Sequence, residues 1–153
     1  MASRAAAGAY APFRPRRGAW VARVCAVACV VAFGALAVGT PATGDVGWSV
    51  PDRIMTFVFG LAVAGLLWRF ASLRAVPSAS GLHVVNLVRR HDLEWASIIS
   101  VGFSGGSPWA VLECSDTEEV AVMAIQRSDG EFAKREASRL AALVLHHSAP
   151  ERH

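Results

Sequence analysis

The stretch WAVLEC (Trp109–Cys114), SDTEE (Ser115–Glu119) and VAVMAI (Val120–Ile125) leads into SDGEFAKREASRLAALVLHH (Ser128–His147). Two short runs of branched and apolar residues flank a polar turn at Asp116-Thr117-Glu118, the pattern of an antiparallel hairpin. The period then changes. Ser128 and Glu131 have the spacing of a capping box, in which serine and glutamate side chains satisfy orphan amides. Phe132, Ala133, Ala137, Leu140, Ala141, Val144 and Leu145 recur at helical spacing, with Lys134, Arg135 and Arg139 on the other side. His146 and His147 close the last turn, where a positive charge suits the helix dipole. Strands followed by one amphipathic helix predict a sheet whose open side the helix covers.

Working back from Trp109, Ser104-Gly105-Gly106-Ser107-Pro108 is a breaker. Leu93 to Ile98 reads as a strand, and Ile99 to Phe103 as its continuation or the next one. Arg89-Arg90-His91-Asp92 reads as a polar turn after a strand over Leu82 to Val88. Pro77 to Gly81 reads as a linker or turn. Trp95, Phe103, Trp109, Phe132 and Leu140 are the expected core, each large ring contributing roughly 2–3 kcal/mol on burial. Trp109→Ala is expected among the most damaging changes. About 79 residues build this unit, near the lower limit for a self-sufficient core.

The N-terminal half differs in kind. Apolar residues make up 54% of the 153, charged residues 18%, and the mean hydropathy is +0.39, which excludes a disordered chain and points to a bilayer. Residues 1–74 carry a net +6 and residues 75–153 a net −3. Val24 to Gly39 holds no charge, and extension back to Ala19 gives about 31 Å of helix, enough for ~30 Å of hydrocarbon. Arg23 can snorkel. Ile54 to Trp68 is a second uncharged run. It suffices if the helix starts near Ser49 or Pro51, or if Arg53 and Arg69 snorkel. A buried core helix is the alternative, but Phe57, Phe59, Leu61, Val63, Leu66 and Leu67 leave no polar face. Between the runs, Pro41, Gly44, Gly47 and Pro51 mark a loop.

The resulting division is a basic cytoplasmic tail (1–18) and a first transmembrane helix (19–39). An extracytoplasmic loop (40–53) and a second helix with its basic juxtamembrane segment (54–74) follow. A small domain (75–147) and a tail (148–153) complete the chain. Arg14, Arg16, Arg17, Arg69 and Arg74 flank the helices, and basic flanks stay in the cytoplasm. Both termini and the domain are therefore expected inside the plasma membrane, with Trp20 and Trp68 at the inner interface and Trp48 at the outer one. A signal peptide cleaved near Ala35-Leu36-Ala37 is the competing reading of the first segment. Ala28/Ala32 and Gly60/Ala64 offer small-residue faces for close helix packing or a homo-oligomer. Cys25 and Cys29 read as small apolar fillers.

Gly81-Leu82, Val84 and Asn86 begin an ordered series. Leu93-Glu94-Trp95, Ile98, Gly106-x-Pro108-Trp109-Ala110, Val122 to Gln126 and Asp129-Gly130 continue it. It resembles the bacterial pleckstrin-homology-like (PH-like) domain of small actinobacterial membrane proteins, some of them called low-molecular-weight protein antigen 6. The resemblance covers residues 20–147, the two spans included. It implies an α+β fold: a bent antiparallel sheet capped by one C-terminal helix, behind a two-helix transmembrane hairpin. It carries over no catalytic set. Eukaryotic PH domains that bind inositol phosphates use basic residues near the first hairpin, where this chain has Arg89, Arg90 and His91. A domain charge of −3 opposes docking on an anionic leaflet.

Enzyme signals are weak. The glycine-rich Gly102 to Trp109 stretch lacks the lysine of a phosphate loop. His146 and His147 project about 100° apart, so they do not converge on a metal. Cys114 reads as a buried thiol, and Glu113, Asp116, Glu118 and Glu119 as a solvated hairpin. No cofactor, metal or nucleic acid is implied. The function expected is a non-enzymatic, membrane-anchored module with a cytoplasmic protein-interaction surface. A lipid-headgroup sensor using Arg89 and Arg90 is the first alternative, and an accessory subunit of a membrane enzyme or transporter the second.

Overall fold

In the C-terminal hairpin, side chains alternate about the strand. Ala110, Leu112 and Cys114 point inwards from β5 (Trp109–Cys114), facing Val120, Val122 and Ala124 of β6 (Glu119–Gln126). The structure, a computed structural model, describes residues 8–41 and 47–148. Arg4, Gly44, Asp45 and the tail beyond Ser148 lie outside the described residues. Contacts divide the described residues into two units: 8–18 with 73–148, and 19–41 with 47–72.

The first unit holds two three-stranded antiparallel sheets. One is β1 (Arg74–Pro77), β2 (Gly81–Val85) and β3 (Arg90–Glu94). The other is β4 (Ile98–Gly102), β5 and β6. A 3-10 turn at Trp95–Ser97 joins them, and α3 (Glu131–Ser148) packs against β4, β6 and that turn. Leu82, Val84, Leu112, Val122 and Leu140 are fully buried, and Trp95 is 4% exposed.

The first turn lies earlier than expected. Asn86 leaves the ladder, its amide donating to the Arg89 carbonyl at 3.0 Å. Arg90, His91 and Asp92 are therefore strand residues, opposite Val85, Val84 and His83. Helix α3 also differs in detail. Among the described residues no hydrogen bond joins Ser128 to the helix amides, so the expected capping box is not formed. Gly130, at φ 61, breaks the backbone path between Ser128 and the helix instead. Lys134 donates to Glu131 at 2.7 Å and holds its carboxyl below the usual carboxylate range. Leu143 is buried and Leu145 is exposed, because the buried stripe runs through Ala133, Leu140, Leu143 and Val144.

Phe103, Trp109 and Phe132 are only part-buried. Trp109 follows from the alternation: with Ala110 and Leu112 inward, and a bulge between Trp109 and Ala110, its ring lies on the outer face. Trp109→Ala is therefore not the deepest core truncation available.

The second unit is a pair of helices. Helix α1 (Arg17–Gly39) and α2 (Val50–Ala71) are 23 and 22 residues long, roughly 34 and 33 Å. Both are long and apolar enough to cross a membrane. Their apolar side chains are mostly exposed, Val38 by 79%, which sets them apart from buried core helices. The start of α2 has a full capping box, Ser49 with Asp52, and Pro51 sits in its first turn. Arg53 donates to the Thr40 carbonyl at 2.6 Å, satisfying the chain end of α1. The small-residue face of α1 is Ala19, Ala22, Ala26 and Ala37; Ala28 and Ala32 are exposed. On α2, Gly60 and Ala64 are buried, and a Cβ on Gly60 would clash with the Phe33 side chain. Phe33 and Phe59 pack edge-to-face at 5.6 Å.

Candidate interaction site

Three features of the first unit could receive a partner: sheet edges, the first hairpin, and a cleft beside Trp109. The edge of β1 is already taken. Phe13 bridges Ala75 through two main-chain hydrogen bonds, 2.8 and 3.1 Å, and its ring is fully buried. The stretch read as a basic tail is thus, over residues 8–18, a strap built into the domain. Side chains of α3 and of the turn before it hold the strap. Arg139 lies over the Phe13 ring at 3.9 Å and donates from one nitrogen to the Gly8, Ala9 and Ala11 carbonyls at 2.9–3.1 Å. Its other terminal nitrogen donates to Glu136 at 2.7 Å. The Asp129 carboxylate accepts the amides of Arg16 and Arg17 at 2.9 and 3.0 Å. Arg16 covers Phe132 at 4.3 Å. At the other end Tyr10 bonds His147 at 2.7 Å, and His147 stacks on Trp95 at 5.0 Å. His147 is therefore a packing group rather than a free helix end.

One edge of β6 is closed by a side chain. Buried Asn86 donates to the Ala121 carbonyl at 2.6 Å and accepts the Met123 amide at 3.2 Å. Among the described residues β3 and β4 are each paired on one side only. The outer strand β3 carries Arg90, Asp92 and Glu94 exposed, charges that discourage indiscriminate strand pairing.

At the first hairpin Arg89 and Arg90 are exposed and His91 is half-buried. Val88, at the tip, is 84% exposed. Arg74 lies opposite Val85, so the tip stands at the end of the sheet where β1 begins. Arg14 is exposed in the strap, Arg17 opens α1, and Arg69 lies in the last turn of α2. Trp20 and Trp68 are exposed on the two helices. Counting residues 8–18 and 73–148 together gives ten bases against nine acids, a net of +1. The −3 expected for the domain came from leaving out the strap arginines and Arg74.

The third feature is a cleft of about 510 Å³ on the outer face of β5 and β6. Trp109 and Val111 form its floor with Ala121, Glu119 lies to one side, and the loop Ser104, Gly105 and Ser107 forms the rim. Gly105 and Gly106 adopt φ of 54 and 77, a conformation that favours glycine. The Ser107 hydroxyl donates to the Trp109 carbonyl at 2.8 Å and fixes the loop to the strand. Composition marked this loop as a breaker; that it frames a Trp-lined cleft needed the register. Cys114 is buried, and burial, with Asp116 and Glu118 beside it, raises its thiol pKa. Among the described residues no three His, Cys, Asp or Glu side chains converge to hold a metal ion.

This architecture is that of a PH-like domain behind two apolar helices. Residues 72–142, just under half of the chain, match the family model for the bacterial PH domain. The match leaves out the Phe13 strap. Uncharacterized proteins of Mycobacterium bovis and Mycobacterium tuberculosis are 35% identical over 91 residues, 60% of this chain. The alignment spans 59% of each relative's length. They fit the actinobacterial resemblance. No solved structure matches the chain significantly.

Proposed function

We propose that the protein is a non-enzymatic membrane module whose two helices span the plasma membrane and whose PH-like domain presents a protein-interaction surface in the cytoplasm. The observation that carries this reading is the strap. Residues on both sides of the apolar helices, 8–18 and 73–148, build one folded unit. Both flanks of the helix pair then stand on one side of the bilayer, as two crossings require. The arginines at Arg14, Arg16, Arg17, Arg69 and Arg74 favour the cytoplasmic side. The one-sided strand β3 supplies the means of binding, strand addition, which the chain's own Phe13 already uses at β1.

A photo-crosslinking residue at Asp92 on the β3 edge, in the full chain in its native membrane, tests this. A defined protein adduct from Asp92, absent from the same probe at exposed Ser138 on α3, is expected. Lipid adducts alone, or none, would count against protein binding.

A second reading, a lipid-headgroup sensor, draws support from Val88 at the tip beside Arg89 and Arg90, and from the +1 charge of the folded unit. In nanodiscs, hydrogen exchange at residues 86–91 would then slow as anionic lipid is added, and Arg89→Ala/Arg90→Ala would abolish the effect. Exchange that ignores lipid composition removes this reading.

A further inference from the structure

The β5–β6 hairpin carries a pairing that costs stability. Glu113 and Glu119 lie directly opposite each other in register, and like charges in that position repel. Both are exposed, and Asp116 and Glu118 extend the acidic charge through the turn. Among the described residues none of the four makes a salt bridge. Glu113 accepts the Ser100 hydroxyl at 2.6 Å, and Asp116 accepts the Glu118 amide at 3.1 Å. The base next along the chain, Arg127, sits over Phe103 at 5.3 Å and does not line the cleft.

Glu119 also lines the cleft, whose floor is the part-buried ring of Trp109. An indole ring and an unpaired carboxylate lining one cleft are the two elements that bind an organic cation. The apolar floor of Val111 and Ala121 suits the methylene stem of a Lys or Arg side chain. We propose that this cleft takes a cationic side chain of a basic peptide, and that the partner is the basic juxtamembrane segment of another membrane protein. The partner class follows from location: cytoplasmic flanks of membrane helices carry an excess of Lys and Arg. The inference rests on the proposed cytoplasmic orientation and names the chemistry of the partner.

The test uses the full chain in nanodiscs of zwitterionic phosphatidylcholine, so that the peptide has no anionic lipid to bind. Anisotropy of a labelled Arg- and Lys-rich peptide is compared with the same peptide carrying Gln at each basic position. The basic peptide should bind and the Gln peptide should not. Trp109→Ala should weaken binding about tenfold, with Trp109→Phe retaining most of it. Glu119→Gln should weaken it several-fold and flatten its salt dependence.

Equal binding of both peptides overturns the proposal. So does wild-type affinity in a Trp109→Ala protein of unchanged melting temperature. If Trp109→Ala fails to fold, Glu119→Gln at an exposed side chain decides, and unchanged affinity there is equally fatal. An Asp92 adduct in membranes, with no binding of the basic peptide, removes this inference alone and leaves the interaction module standing.

Discussion

At the residue scale, one side chain far from the domain in sequence is buried more completely than any aromatic within it. Phe13 is fully buried, whereas Phe103, Trp109 and Phe132 are part-buried. Phe13→Ala should cost about 3–5 kcal/mol, and Trp109→Ala distinctly less. Thermal unfolding of the full chain in detergent ranks them, and the reverse order would contradict the burial argument. Thr117, at φ 66, is a β-branched residue in the left-handed region. Thr117→Gly should raise the unfolding midpoint through relief of about 1–2 kcal/mol of backbone strain; a lowered midpoint would mean the turn needs the threonine. Cys114 has a pH consequence. Burial raises its thiol pKa above the ordinary 9.0. A raised folded pKa gives stability that is intact below pH 9 and lost as the pH climbs through the folded value. Cys114→Ala should flatten the alkaline loss of stability above pH 9, and an unchanged slope would assign that loss elsewhere.

Elements of regular period were legible in the sequence; elements defined by a distant contact were not. The strands over 109–114 and 120–125 emerge nearly to the residue, because alternation about a buried face is a local signal. The turn after β2 was misplaced because Asn86 leaves the ladder to serve β6, a partner that local sequence does not reveal. Residues 1–18 read as a basic tail because Arg14, Arg16 and Arg17 dominate the local signal. One buried ring carries no period, and nothing local marks Asp129 as the acceptor of two remote amides. The candidate site follows the same division. Arg89 and Arg90 stood out by charge, whereas the Trp109 cleft depends on which face each β5 residue takes. The helix pair is testable at this scale. Gly60→Leu would press a side chain into Phe33, and overpacking of this kind costs about 1–3 kcal/mol. Loss of helical signal at lower detergent denaturant is expected; Gly65, where a Cβ meets nothing within 4 Å, is the control site for the same substitution.

At the scale of the whole molecule, the strap bears on how the chain is processed. Cleavage after Ala37 would release residues 1–37 and with them everything that the strap gives the domain. The Phe13 ring would leave the core, Ala75 would lose both main-chain partners, and Asp129 would lose the two amides that donate to it. Arg139, which now donates to three strap carbonyls, would keep only Glu136. A domain this small has little stability to spare, so a cleaved chain should hold a weakened fold. The proposed architecture therefore requires that the first helix be retained, with residues 8–18 and 73–148 meeting on the same side. Intact mass of the protein extracted from native membranes should include residues 1–37. A cysteine at Gly47, in a Cys25→Ser/Cys29→Ser/Cys114→Ser background, should label with an impermeant maleimide from outside, and one at exposed Ser138 only after lysis. Recovery of a folded domain lacking residues 1–37 would sink both the retained helix and the structural role assigned to Phe13.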